Sequence, residues 1–188
     1  MEKRMQVKGS SIMAVPAFIK FNFPTRYDEW IEALTPEARA IHTDYILATS
    51  LYPLYDAMVV PTQKVCDVFY YGDKKGAWQS GRFSASYALK GIFKFLYKVG
   101  SPGFIIERAS RVFSSYYPEG ELKVTESSSN KVVLQIVKFP EPYEILDYDM
   151  AGWMEATLEL IQCKNVTIEI TKSMSKGDPV TEFVGRWS

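Results

Sequence analysis

Histidine is almost missing from this chain: His42 is the one histidine in 188 residues. Histidine is the side chain that titrates near neutrality and the commonest metal ligand, so acid–base and metal chemistry are poorly supplied. Cysteine is scarce as well. Cys66 and Cys163 lie far apart and lack the CxxC spacing that would present two thiolates to one zinc ion. Two cysteines cannot build a disulfide scaffold, and a chain of this length buries enough core to fold without one. Net charge is absent, because 22 Lys plus Arg balance 22 Asp plus Glu. No overall positive field therefore gathers nucleic acid or an anionic membrane. Long apolar runs are absent too: no stretch of about 18 residues is free of charge, which excludes a membrane-spanning helix. After Met1–Met5 come Lys8, Gly9, Ser10 and Ser11 where a signal peptide would have its apolar core. The expectation is a soluble, cytoplasmic protein in a reducing compartment.

Aromatic residues are what the chain has in plenty, with 12 Tyr, 11 Phe and 4 Trp. Hydrophobic residues at 47% and charged residues at 23% belong to a chain with a packed core and not to a disordered one. At roughly 100 to 200 residues per domain, the length predicts a single domain over residues 1–188. Its pattern divides into a helical part, about 10–115, and an α+β part, about 116–188.

Ile12 to Phe23 reads as a helix, with Ser11 as N-cap, Pro16 in the first turn and Pro24 beyond its end. Asp28 to Leu34 adds one or two turns. Thr35-Pro36-Glu37 then supplies an N-cap, a first-turn proline and early acidic charge, predicting a helix from Pro36 to about Thr49 with Ala38, Ile41, Tyr45 and Ala48 on one face. Leu54 to Val60 is ambiguous between strand and helix, and a helix is expected from near Thr62 to Tyr71. Trp78 to Val99 is apolar on nearly every face, the pattern of a helix buried in the middle of a fold. Gly100-Ser101-Pro102-Gly103 stops it, and Phe104 to Ser115 forms one more amphipathic helix with Ile105, Ile106, Ala109, Val112 and Phe113 inward.

The period then changes. Glu121–Glu126 and Lys131–Phe139 alternate around Ser127-Ser128-Ser129-Asn130, which predicts an antiparallel hairpin. Asp149 to Cys163 is helical, with Asp147 or Asp149 as cap, and Asn165–Thr171 and Val180–Trp187 read as two more strands. The fold class is therefore α+β, with helices on one face of a four- to five-stranded antiparallel sheet.

The stretch from Gly76 to Tyr117, the hairpin, the helix near Tyr148 with Gly152 inside it, and the final pair joined by Lys176-Gly177-Asp178 and closing on Val180 to Trp187 together resemble a known superfamily. It contains TRAPP vesicle-tethering subunits, vinyl-reductase-type hydrocarbon-binding domains and haem nitric-oxide sensors. The resemblance covers roughly residues 70–188. Trp30, Leu34-Thr35-Pro36-Glu37, Arg39 and Leu51-Tyr52-Pro53 look more like an uncharacterised bacterial branch of it. The resemblance implies helices over one sheet face and a ligand-binding role. Haem-binding members use a histidine on a mid-chain helix and a Tyr-x-Ser-x-Arg motif, and this chain has neither: Tyr116-Tyr117-Pro118 stands in that region without the arginine. The clustered-cysteine zinc site of phenol-sensing members is missing. So is the cysteine of acylated TRAPP subunits, whose place is taken by Val99-Gly100-Ser101-Pro102.

Tyr71, Trp78, Phe83, Tyr87, Phe93, Phe95 and Tyr97 are the candidate ligand-binding residues, able either to line an apolar cavity or to fill it. His42 is expected on a helix surface, and the two cysteines as small buried hydrophobes. The acidic run Glu141, Glu144, Asp147 and Asp149 is expected to form a solvated loop and a helix cap, although paired carboxylates can do acid–base work. Arg82, Lys90, Lys94 and Lys98 share one polar helix stripe. No catalytic residue, metal site or cofactor is assigned. The expectation is a non-enzymatic module that binds a hydrophobic small molecule, an acyl chain or a protein partner, the last including a second copy of itself. The alternatives are a haem-based gas sensor and a dimeric scaffold with a filled core.

Overall fold

The computed structural model describes residues 4–89 and 102–188. The chain opens with β1 (Gln6–Lys8), α1 (Gly9–Ile12) and α2 (Ala14–Asn22), then a 3-10 turn at Pro24–Arg26, α3 (Tyr27–Ala33) and α4 (Pro36–Thr43). β2 (Leu51–Pro53), a π-helical turn (Tyr55–Val59), α5 (Val60–Phe69) and α6 (Lys75–Leu89) complete the helical half. After α7 (Pro102–Ile106) and α8 (Ala109–Tyr116) come β3 (Glu121–Ser127), β4 (Lys131–Lys138), α9 (Glu144–Leu160), β5 (Thr167–Lys172), a 3-10 turn at Met174–Lys176 and β6 (Thr181–Arg186).

The α+β class and the antiparallel sheet stand as expected: β3, β4, β6 and β5 pair in that order, every pair antiparallel. Leu134 sits opposite Phe183, and Val132 opposite Gly185. Alternation then turns Val132, Leu134, Ile136, Thr181 and Phe183 to the buried side, beneath α9. One buried apolar cluster runs from Met5 and Val7 through Trp30 and Leu54 to Phe183 and Trp187.

Several local expectations give way to tertiary contacts. The helix that starts at Thr35 does so through its hydroxyl, which accepts from the Ala38 N–H at 3.3 Å. It stops at Thr43, well short of Thr49, because the following backbone serves another partner: Ser10 N–H donates to the Ala48 carbonyl and Gly9 N–H to that of Ser50. Tyr45, expected on the buried face, is exposed. Leu51-Tyr52-Pro53 forms a second, two-stranded sheet with Gln6–Lys8. The ambiguous Leu54–Val60 stretch is a π-helical turn that runs straight into α5. Phe104–Ser115 is two helices, broken at Glu107-Arg108, while Ile106 and Phe113 point inward as expected. Ser11 lies within α1 and caps nothing. Asp147 and Asp149 do not cap α9 either, since the helix begins at Glu144 and both carboxylates are buried within it.

The central packing is α6 against α9. The two helices approach until backbone meets backbone: a Cβ added to Gly81 would overlap the Asp149 carbonyl, and one added to Gly152 would overlap that of Trp78. Side chains reinforce the crossing, with Trp78 Nε1–H donating to Glu155 at 2.7 Å and Arg82 pairing with both Glu155 and Glu159. Because the obstructing atoms belong to helical backbone, neither glycine has room to gain a methyl group. Gly152→Ala and Gly81→Ala should each lower unfolding stability by about 3 kcal/mol, read from urea midpoints at unchanged slope.

Candidate functional site

A pocket of about 80 Å³ opens beside the α6–α9 crossing, between α8, α9 and the sheet. Its origin is local. α8 is amphipathic, with Ala109, Val112, Phe113 and Tyr116 at helical spacing on the face that meets the sheet. α9 contributes Asp149, Met150, Trp153 and Met154, again one face, and the strands add Leu122 and Leu134. Opposite them, among the described residues, α6 offers Ser84 and Ala88, and α1 offers Ser10 and Ser11. Small side chains facing large ones leave the space unfilled. A second cavity of about 60 Å³ adjoins it, sharing Ala109, Val112, Leu134, Trp153 and Met154 as walls and reaching Ile168 and Phe183.

The walls are largely apolar, and at one corner Ser11, Tyr117 and Asp149 meet. Tyr117 is buried, its phenol pushed up by burial and by the nearby Asp149 carboxyl, while the Ser11 hydroxyl hydrogen-bonds its oxygen. Asp149 is only 5% exposed, and its Oδ1 has no hydrogen-bond partner in the protein. Burial alone pushes its carboxyl up to about 7.

The rest of the acidic run goes elsewhere. Glu141 accepts from the Met5 N–H at 2.7 Å and ties down the N-terminal strand. Glu144 bridges Lys74 and Lys176 at 2.7 and 2.9 Å. Asp147 accepts from the Ser173 hydroxyl at 2.5 Å and holds the β5–β6 connection, while burial raises its carboxyl. The four carboxylates thus serve four different places, and no pair is set for acid–base work. Among the described residues, no three His, Cys, Asp or Glu side chains group as metal ligands would.

Of the aromatic candidates, Tyr71 is fully exposed on a left-handed turn residue after α5. Trp78 packs at the α6–α9 crossing, edge-on to Tyr148. Phe83 stacks on Tyr87 and meets Phe18 edge-on, toward the outer side of α6. None of these four lines either cavity. Phe93, Phe95 and Tyr97 lie outside the described residues, as do Lys90, Lys94 and Lys98. His42 is not on a helix surface. It is buried edge-on to Trp30, with Nε2 at 3.0 Å from the Ala57 carbonyl, and burial holds its ring down at about 4, so it is neutral at pH 7. Cys66 and Cys163 are buried free thiols.

Sequence reasoning missed the residues that line the cavity. One signal was present: Asp149 lies on the same helical stripe as Met150, Trp153 and Thr157, an acid on an apolar face.

No family model matches the chain, and no curated protein matches its sequence. Solved structures match its fold. The unliganded Fe(II) H-NOX protein from K. algicida is 12% identical, with a TM-score of 0.68 over 96% of both chains. The H-NOX protein from S. oneidensis in the Fe(II)NO ligation state is 12% identical, with a TM-score of 0.72 over 96% of this chain and 99% of the other. The IWP-051-bound H-NOX from Shewanella woodyi in the Fe(II)CO ligation state is 13% identical, with a TM-score of 0.66 over 96% and 94%. These structures share the fold of the haem nitric-oxide branch, one of the three that the sequence resembles.

The cavity residues do not fit a haem. The chain's one histidine is committed to Ala57 and Trp30, away from the cavity walls. Among the described residues no Lys or Arg lines either cavity to meet propionates, and the one carboxylate there, Asp149, has their sign. The volume also falls short, since a cavity of roughly 150 Å³ holds no more than a benzene.

The two buried titrating groups pull stability in opposite directions. Folding raises the Asp149 pKa, so the folded state holds that proton more tightly and loses stability as pH rises from 4 to 7. Folding lowers the His42 pKa, so stability is present above its ordinary value and lost as pH falls from 6.5 to 4. Asp149→Asn isolates the first effect. Its stability relative to wild type should be unchanged near pH 4 and rise to a gain on the order of 4 kcal/mol by pH 8, measured by denaturant unfolding across that range.

Proposed function

We propose that this chain is a non-enzymatic sensor or binding domain that uses the H-NOX fold without haem, holding a small, largely apolar molecule in the cavity between α8, α9 and the sheet. The observation that carries this reading is the cavity itself, walled by Val112, Leu134, Met150 and Met154 and polar at one corner. Well-packed interiors leave few voids larger than a water, and a ligand site is typically apolar with a few placed polar groups. The two adjoining spaces of about 80 and 60 Å³ suit a compact group and not a long acyl chain. The four dispersed carboxylates and the neutral, hydrogen-bonded His42 support the non-enzymatic part of the reading.

A haem-based gas sensor is the second reading, favoured by the neighbours whose names carry Fe(II), NO and CO. A hemin titration separates the two. The expected outcome is no saturable Soret band, while xenon or benzene raises the melting temperature and Ala109→Leu, which fills the shared wall, abolishes that rise. A Soret band saturating at one haem per chain would replace the first reading with the second.

A further inference from the structure

Resting on the cavity reading, we propose that the ligand is a small primary amine whose ammonium meets the Asp149 carboxylate while its hydrocarbon part lies between α8 and α9. The argument begins with what the Asp149 carboxyl lacks. Its Oδ1 accepts no hydrogen bond from the protein although the residue is buried, and such an orphan ordinarily costs about 1–3 kcal/mol.

Nothing around it repairs this. α1 brings the hydroxyls of Ser10 and Ser11, α6 brings Ser84, and the end of α8 brings Tyr116 and Tyr117. The titratable groups that act on or feel Asp149 are Tyr117 and Cys66, both neutral and both raised by burial. The strands contribute Leu122 and Leu134. Among the described residues no lysine or arginine stands in these walls, and the cation is assigned to the ligand. An ammonium supplies the charge and three N–H donors in one compact group. Trp153, Tyr116 and Phe113 also line the cavity, and aromatic rings are groups that a cation favours.

Shape limits the remainder of the molecule. Beyond the polar corner the walls are Val112, Leu134 and Met154, leading into the neighbouring space toward Ile168. Together the spaces suit a tail of about four to six heavy atoms, the scale of a cavity that accepts benzene. An anionic or zwitterionic ligand would set a second carboxylate in a pocket that already has one without a partner. Burial also keeps the Asp149 carboxyl up at about 7, so the site gains most from a ligand that makes the charged form comfortable.

The test compares isopentylamine with isopentanol, the same shape without the charge, by calorimetric titration of the full chain at pH 8. The amine should bind at least tenfold more tightly than the alcohol. Asp149→Asn should remove that preference, and Met154→Trp, which fills the apolar end, should weaken the binding of both compounds. Equal affinity for amine and alcohol in wild type would overturn the amine assignment and leave the cavity reading standing. An undiminished amine preference in Asp149→Asn would overturn the role of the carboxylate. If neither compound binds, and xenon does not enter either, both the ligand class and the cavity reading fall.

Discussion

The contact between α6 and α9 at Gly81 and Gly152 governs the rest of the molecule. Reciprocal glycines let two helical backbones touch, and this lets Trp78 and Arg82 reach Glu155 and Glu159 across the crossing. On its other side α9 lies over β5 and β6, while α6 packs on α2 and α5. The sheet and the helical half therefore meet through this pair. One turn beyond the closest approach, Ser84 and Ala88 continue the run of small residues on α6 while α9 presents Trp153 and Met154. Close contact at the glycines and open space beside them come from the same choice of small side chains.

The crossing also decides where a charge is buried. Asp149 meets Gly81 through its backbone carbonyl, and its side chain is buried beside that contact. A carboxyl held in this way titrates near neutrality because water is excluded and no cation replaces it. Tyr117 and Ser11 satisfy each other at the same corner. The result is a pocket with one polar group in need of a donor, set among apolar walls. A pocket of that kind selects ligands by a single group and by size, and it does so on a rigid helix and not on a loop.

The relation to the solved H-NOX structures separates fold from chemistry. The fold is shared, with TM-scores of 0.66 to 0.72 at 12–13% identity. The lining does not follow the fold to haem: among the described residues the cavity has neither an available histidine nor a cation, and it is much smaller than a porphyrin. A fold conveys where a ligand can lie, and the lining residues decide which one it is.

Some of this was legible residue by residue. Thr35-Pro36-Glu37 marked a helix start because an N-cap hydroxyl acts within one turn, and the hairpin and last two strands showed in their two-residue alternation. These signals are local, and local spacing also predicted the α+β class. The end of α4 was not legible, because residues 48–50 hydrogen-bond to Gly9 and Ser10 nearly forty positions away. The aromatic residues of α6 drew attention as candidate ligand contacts, yet a helix read alone does not say which face meets a cavity. Asp147 and Asp149 looked alike as members of an acidic run. Only the packing of α6 on α9 and of the β5–β6 connection on Asp147 separated them, giving one a serine partner and the other none. Sequence by itself determined the elements and their class, since propensity, capping and periodicity act over a few residues. The tertiary structure decided the cavity and its unpaired carboxyl, since burial and hydrogen-bond partnership depend on residues that the chain brings together from afar.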